Sequence, residues 1–197
     1  MVQGIIAGGR NALWQAVEGA EDDWENGAAS VRYRQLTERD TLVGIAASGR
    51  TPFVWGALAE AGKRRSRTIF LCFNPSLKID RRHRPDVVIA PNLGPEILTG
   101  STRLKCGTAT KLVLNMISTI SMVRLGKVMS NLMVDLNPSN IKLRDRAVRI
   151  VRELTDCSPE EAAEALDKEK WIVKDAIFAV RHPKSLRQRA GTTARHT

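Results

Sequence analysis

The 197-residue sequence is poor in the features that mark several specialised classes of protein. Its three cysteines, Cys72, Cys106 and Cys157, are far apart and odd in number, which argues against a disulfide framework or a zinc site. No apolar run approaches the length of a bilayer span, because polar residues interrupt even the richest stretch, 112–123. The N-terminus also lacks the basic start and cleavage site of a signal peptide. We therefore expect a cytoplasmic protein without membrane association.

Aromatic residues are scarce, and the positive charge is unevenly spread. The formal net charge is +10, which raises nucleic acid as a partner. Residues 63–84 contain eight Lys or Arg against one Asp, residues 181–197 contain five and no acid, and residues 1–40 are acidic on balance. One Tyr and four Phe leave few platforms on which single-stranded bases could stack. A solvated basic surface is therefore the favoured interpretation, and nucleic-acid binding is the minority alternative.

Short apolar runs alternate with stretches of helical spacing along the first half of the chain. Four runs lack strict alternation and end in turn residues, as buried strands do: 2–7, 41–47, 68–73 and 86–90. Between them, residues 11–23 predict an acidic helix, and residues 53–61 predict a second helix. Strands of this kind separated by helices indicate an α/β fold with a parallel sheet covered on both faces.

The second half of the sequence is helical in pattern. Residues 101–125 are apolar nearly all round, which predicts a helix that is either central and buried or placed in a subunit interface. A further helix is expected to begin with Asn137 as its cap and Pro138 in its first turn. The segment 158–161, Ser-Pro-Glu-Glu, reads as a capping box and opens a small helical appendage.

The residues after the second apolar run have the parts of an anion site. Ser48, Gly49, Arg50 and Thr51 follow a predicted strand, and Pro52 starts a predicted helix. In a parallel sheet this loop lies at the carboxyl end of a strand, where ligands bind, and the helix start offers backbone N–H groups. An ordinary turn between a strand and a helix is an equally weighted alternative from these residues alone.

Two further segments carry carboxylates. The run 18–23 has four acids, and in a helix Glu18 and Glu21 would share one face. Like charges held close would raise one pKa toward neutrality, as a general base requires, although a solvated surface is the favoured interpretation of the run alone. Glu96 and Ser101 belong to another loop that opens a helix, and a pocket wall and a simple helix cap are about equally supported there.

A set of motifs agrees in order and spacing with one known family over about residues 3–180. The motifs are GIIAGG at 4–9, AVEGAED at 16–22, VGIAASGRTP at 43–52, NP at 74–75, GPE at 94–96, TGSTRLK at 99–105, KLVLNM at 111–116, GKV at 126–128 and NLMVD at 131–135. With them the sequence resembles the N-acetylmuramic acid 6-phosphate etherases, bacterial enzymes built on a sugar isomerase (SIS) domain and related to the glucokinase regulatory protein.

The resemblance implies a fold, a reaction and a set of roles. It implies a SIS-type parallel sheet flanked by helices in three layers over residues 1–136, a small helical region at 137–180 and a basic, disordered tail at 181–197. The family cleaves the D-lactyl ether of N-acetylmuramic acid 6-phosphate, without metal or cofactor, by elimination and hydration in cell-wall sugar recycling. By position, Glu21 matches a catalytic glutamate. Ser48, Gly49 and Thr51 match a loop that faces the sugar phosphate, and we expect Glu18, Arg50, Glu96 and Ser101 to contact substrate with them.

One departure from the family bears on activity. Members normally begin with a further section that carries a second phosphate loop and the other catalytic glutamate, and neither motif occurs in this sequence. The expectation is therefore an etherase, or a fragment of one, working as a homodimer on a sugar phosphate. A non-catalytic sugar-phosphate sensor is the alternative from the binding-protein class, and a nucleic-acid-associated basic protein is a weaker third.

Overall fold

The computed structural model describes residues 2–182, and the chain divides into two compact units, Met1–Leu114 and Asn115–Thr197. The strands of the first unit are β1 (Thr41–Ile45), β2 (Arg67–Leu71) and β3 (Val87–Ile89), and its helices are α1 (Trp24–Tyr33) and α2 (Pro52–Lys63). Helix α3 (Lys105–Arg124) crosses the division. The second unit contains β4 (Val128–Met129), β5 (Leu132–Met133), α4 (Ile141–Thr155), α5 (Pro159–Lys168) and α6 (Val173–Arg181). The expected domain boundary at residue 136 stays a prediction.

The first unit is built on a three-stranded parallel sheet in the order β1-β2-β3. Thr41 lies opposite Arg67, and Ile69 lies opposite Val87. The central strand has the most buried residues, because Phe70, Leu71 and the following Cys72 are fully enclosed. Helices flank this sheet, so the chain has the expected SIS-type α/β fold, and the apolar runs at 41–47, 68–73 and 86–90 are confirmed as strands.

Helices α1 and α2 cross at two glycines. A Cβ atom on Gly27 would lie 1.9 Å from the Phe53 carbonyl oxygen, and one on Gly56 would lie 1.9 Å from the Trp24 carbonyl oxygen. These distances are far inside van der Waals contact, so the two backbones touch where a side chain would separate them. Close approach also buries Val31 against α2, which fixes the start of α1 beside the start of α2.

Two expectations for the first forty residues are wrong. Residues 2–7 form no strand, since they pair with no strand of the described chain, and Val2 is 90% exposed. Residues 11–23 form short 3-10 turns, at Gly9–Leu13 and Ala20–Asp22, in place of one helix. The left-handed backbone of Gly19, at φ +73°, interrupts a helix there. Regular helix begins only after Asp23, whose carboxylate accepts a hydrogen bond from the Asn26 N–H at 2.8 Å.

Helix α3 is formed as predicted but is largely exposed, so the first of its two expected positions, buried at the centre of the chain, is wrong, and the second, in a subunit interface, stays a prediction. Only Cys106 and Val113 are buried along its 20 residues. It is the one helix of residues 2–182 that is long and apolar enough to cross a bilayer by length and composition. Lys111 and Asn115 interrupt its apolar surface, so this is weak evidence for a membrane span.

The second unit has its own core between α4, α5 and α6. Val151, Leu166 and Val173 are its most enclosed large side chains. The predicted capping box is confirmed, since Ser158 and Glu161 each accept a hydrogen bond from the other's backbone N–H. The cap of α4 is Asn140 and not Asn137, because residues 137–139 form a tight turn before the helix begins. Most of the predicted tail, from residue 183, lies outside the described residues.

Candidate functional site

An open cavity of about 850 Å³ lies in the first unit, beside the β1 edge that no strand of the described chain covers. Residues 42–48 of β1 and its following loop line it, together with Thr51, Phe53, Val54 and Ala57 at the start of α2. Residues 5–7 and 15–22 also line it. The cavity therefore lies at the carboxyl end of a parallel strand, the usual ligand position in such sheets.

The loop between β1 and α2 has a tightly defined backbone. The Gly49 N–H donates to the Ala46 carbonyl at 2.9 Å, and Gly49 has a left-handed φ of +80°. The Arg50 N–H donates to the Ser48 hydroxyl at 3.3 Å. The Trp55 indole N–H donates to the Gly49 carbonyl at 2.8 Å, which ties the loop to the second turn of α2. The loop is consequently held in place before any ligand binds.

Thr51 occupies the cap position of α2 but makes no capping hydrogen bond with its side chain. Its hydroxyl therefore accepts no hydrogen bond from the backbone N–H groups at the start of α2. The residue lines the cavity together with Ser48. The first turn of α2, including Phe53 and Val54, lines the same cavity. Hydroxyl donors and the positive end of a helix dipole on one wall are what a bound phosphate requires.

The acidic segment lines the same cavity as this loop. Glu18, Glu21 and Asp22 line the cavity, whereas Asp23 points to the start of α1 as its cap. Glu18 and Glu21 do not share a helix face, because Gly19 turns the backbone between them and Glu21 lies in a 3-10 turn. Both carboxylates are on exposed residues, so they are open to a substrate in the cavity.

The structure brings four of the eight predicted site residues to one cavity. Glu18, Glu21, Ser48 and Thr51 line it. Gly49 and Arg50 belong to the same loop but line a second, smaller cavity. Glu96 and Ser101 line neither of these two cavities. Their substrate contacts, like the roles of the other six, stay predictions.

Glu96 has a structural function in this conformation. Its carboxylate accepts hydrogen bonds from the backbone N–H groups of Lys105 and Cys106, both at 3.0 Å. These bonds, first from Cys106 and then from Lys105, lower the pKa of Glu96, because they stabilise its charged form. Glu96 therefore satisfies the start of α3 from nine residues upstream, and the backbone groups it occupies are those that an anion would otherwise use.

Two polar lining residues escaped the sequence analysis as candidates. Gln15 and Thr102 line the large cavity. Gln15 follows a turn and belongs to no charged cluster, so no local pattern marks it. Thr102 is adjacent to Ser101, which was the predicted site residue. The sequence does not show which of two adjacent hydroxyl residues in a loop lines the cavity. Among residues 2–182 no group of three or more His, Cys, Asp or Glu is placed to hold a metal ion.

Comparison with known proteins identifies two matching families. Residues 1–61 match the glucokinase regulatory protein N-terminal SIS domain, and residues 130–183 match the C-terminal lid domain of glucokinase regulatory protein. The large cavity is lined mostly by residues of the first match.

Three similar proteins are named N-acetylmuramic acid 6-phosphate etherase. The one from Pseudoalteromonas atlantica is 53% identical over 180 residues, which are 91% of this chain and 58% of the relative. The one from Staphylococcus epidermidis is 51% identical over 88% of this chain and 58% of its own. The one from Serratia proteamaculans is 53% identical over 91% of this chain and 60% of its own.

The chain thus spans about three fifths of the length of the curated relatives that it matches. Within the matched span the identity is near one half in each of these comparisons. By sequence, the chain is similar over about nine tenths of its length to the N-acetylmuramic acid 6-phosphate etherases, and two of its segments match the SIS and lid domains of glucokinase regulatory protein.

Proposed function

We propose that this protein acts on N-acetylmuramic acid 6-phosphate and releases D-lactate and N-acetylglucosamine 6-phosphate. The observation that carries the proposal is that Glu21 and the loop residues Ser48 and Thr51 line one cavity. A phosphate held by the loop would place the sugar ring against the acidic turn. The names of relatives about half identical in sequence support the same reaction.

The reaction divides into an elimination and a hydration. A base removes the proton next to the open-chain aldehyde carbon, the electron pair forms a double bond, and the bond to the lactate oxygen breaks as an acid protonates that oxygen. Water then adds across the double bond. Glu21 is the proposed proton-transfer group, because it lines the cavity and matches a catalytic glutamate of the family. Glu18 and Asp22 are the further carboxylates that line the same cavity.

The experiment is an assay of D-lactate after incubation of the full chain with N-acetylmuramic acid 6-phosphate. We expect turnover by the unmodified protein and a loss of at least about a hundredfold in Glu21→Gln, the lower range for a general acid–base group. Glu38→Gln is the matched control, because it removes one negative charge from the same unit and Glu38 does not line the cavity. Equal rates for the two variants would remove Glu21 from the mechanism.

A second function, binding of sugar phosphates without turnover, is favoured by a separate observation. Both matched families are described as domains of glucokinase regulatory protein, and neither description names an enzyme. In this case the loop at 48–51 would hold the phosphate, and Glu21 would only contact the sugar. Tight binding of N-acetylglucosamine 6-phosphate by calorimetry, with no D-lactate from the etherase substrate, is the result that selects this function.

The protein is further proposed to be a cytoplasmic homodimer, with helix α3 in the contact between copies. Leu112, Met116, Ile120 and Val123 lie along one stripe of α3, and each is at least 50% exposed. A stripe of this kind gains stability by burial against a second copy. Light scattering should give the mass of a dimer, and Met116→Lys combined with Ile120→Lys should shift it to that of a monomer. A monomeric unmodified protein would contradict the proposal.

A further inference from the structure

A second cavity, of about 380 Å³, is lined in part by the loop at 48–51 and by no residue to which the proposed reaction assigns proton transfer. Ser48 and Thr51 line the large cavity, whereas Gly49 and Arg50 line this smaller one. Its other walls come from Trp24 at the start of α1, Trp55 on α2 and the segment 77–83 after β2. The volume suits a small organic ligand, since such sites begin at about 300 Å³.

Two tryptophans contribute to the apolar lining of this cavity, and both are held in position. The Trp55 ring contacts the Phe70 ring with centroids 4.6 Å apart, and its N–H is committed to the Gly49 carbonyl. Trp24 is fixed by the close crossing of the helices, because its backbone and its ring both lie against Gly56. Its side chain nevertheless stays partly open to solvent, with the residue 41% exposed. Rigid and accessible indoles are suited to stacking on a flat ring.

The rim of the same cavity carries positive charge. Arg50 and Lys78 lie there on exposed residues, and neither forms an ion pair with any residue of the described chain. The only acid on the rim, Asp80, is already occupied, since it accepts hydrogen bonds at 2.9 Å from the Arg82 backbone N–H and from its guanidinium. His83 adds a further donor. The uncompensated cations therefore favour an anionic group on the ligand.

From these two features we propose that the second cavity binds a flat aromatic ring that carries a phosphate group. The ring lies against Trp24 and Trp55, and the phosphate lies at Arg50 and Lys78. A purely apolar ligand would leave the two cations unused, and a bare phosphate would leave both indoles uncovered. This site is separate from the proposed etherase function, because no residue assigned to proton transfer lines it.

The test uses three probes that separate the two halves of the ligand. AMP has both a flat ring and a phosphate, adenosine has only the ring, and inorganic phosphate has only the charge. Calorimetry with the full chain should show AMP binding at least tenfold more tightly than either of the others. N-acetylglucosamine 6-phosphate, added in excess, should not displace AMP, because it occupies the large cavity.

Two variants and one control assign the binding to these residues. Lys78→Gln should weaken AMP about tenfold and leave adenosine unchanged, whereas Trp24→Leu should weaken both. Arg39→Gln removes one positive charge outside the cavity and should change neither affinity.

Three results would each overturn the proposal: binding of AMP no tighter than that of phosphate, displacement of AMP by the sugar phosphate, or an unchanged affinity for AMP in Lys78→Gln. The Lys78 variant changes only an exposed side chain, so the result does not depend on Trp24→Leu folding. D-lactate release is measured separately, so failure here leaves the etherase proposal intact.

Discussion

Thr51 holds the cap position of a helix without using its hydroxyl as a cap. We expect Thr51→Val to weaken binding of N-acetylglucosamine 6-phosphate by roughly tenfold, the usual effect of one hydrogen bond to a charged group. The stability of the protein should change little, because no capping bond is lost. Calorimetry checks the affinity, and Thr41→Val, at the start of β1 and outside the cavity, is the control. An unchanged affinity for Thr51→Val would argue that the phosphate lies elsewhere.

Asp86 joins β2 to β3 through a pair of reciprocal hydrogen bonds with Thr68. Its carboxylate accepts from the Thr68 N–H at 2.8 Å and from the Thr68 hydroxyl at 2.9 Å, and the Asp86 N–H donates back to that hydroxyl at 3.0 Å. These bonds, the backbone one first, lower the pKa of Asp86 below its usual value. A depressed pKa in the folded state means that the contribution to stability is present above the unfolded-state pKa.

The stability that Asp86 contributes is therefore lost as the pH falls through its folded-state pKa. We expect the free energy of unfolding to decline with acidification, and Asp86→Asn to make this decline shallower. Urea unfolding measured from pH 7 down to pH 3 gives both curves. Glu38→Gln serves as the control for loss of one carboxylate outside the sheet. Parallel curves for Asp86→Asn and the unmodified protein would contradict the assignment.

For individual residues, the sequence predicts roles that depend on neighbours in the chain. It does not predict roles that depend on contacts between residues far apart in the chain. Ser158 and Glu161 form their box from neighbouring positions, so spacing alone identified them. Glu96 caps α3 across nine residues of loop, and that contact has no spacing signature. Trp24 and Lys78 are 54 residues apart in sequence and line one cavity only after folding. No sequence pattern therefore marks either residue.

Among the elements, the crossing of α1 and α2 depends on two missing side chains. Gly56→Ala would place a methyl group 1.9 Å from the Trp24 carbonyl oxygen, so the helices must move apart. We expect a loss of about 2–3 kcal/mol in the free energy of unfolding, the range for overpacking a close contact. Chemical denaturation measures this loss.

The same helix contains its own control. A Cβ on Gly62 would meet no atom within 4 Å, so Gly62→Ala should be neutral or should stabilise the protein by up to about 1 kcal/mol. Equal effects of the two substitutions would show that the crossing is looser than the structure has it.

Strands were predicted better than the first helices for a physical reason. Each strand of the sheet is a short apolar run without strict alternation, and this pattern can be read without knowledge of the neighbouring strands. The segment 11–23 has helical spacing, but the left-handed backbone at Gly19 breaks the helix, and a glycine in a sequence does not reveal its φ. The run 2–7 looks like a strand, yet strand structure requires a partner, and the described chain places none beside it.

The whole chain has separate cores in its two units. The cluster around Phe70 belongs to the first unit, and the cluster around Leu166 belongs to the second. Leu166→Ala should therefore cost about 2–5 kcal/mol locally, as removal of a fully buried leucine does. Amide hydrogen exchange should become faster in α4, α5 and α6, with β1, β2 and β3 unchanged. Ile141→Ala, at a position that is 86% exposed, is the control. Equal acceleration in the sheet would show that the units unfold together.

The loop at 48–51 forms part of the walls of two cavities, so binding in one cavity can change the affinity of the other. The Gly49 carbonyl is tied to Trp55, and a Cβ on Gly49 would lie 2.5 Å from Leu77, so the loop has little room to move on the side of the smaller cavity. A ligand that shifts the loop toward one cavity must change the shape of the other. By thermodynamic linkage, such an effect is reciprocal. If a sugar phosphate changes the affinity for an aromatic phosphate by some factor, the aromatic phosphate changes the affinity for the sugar phosphate by the same factor.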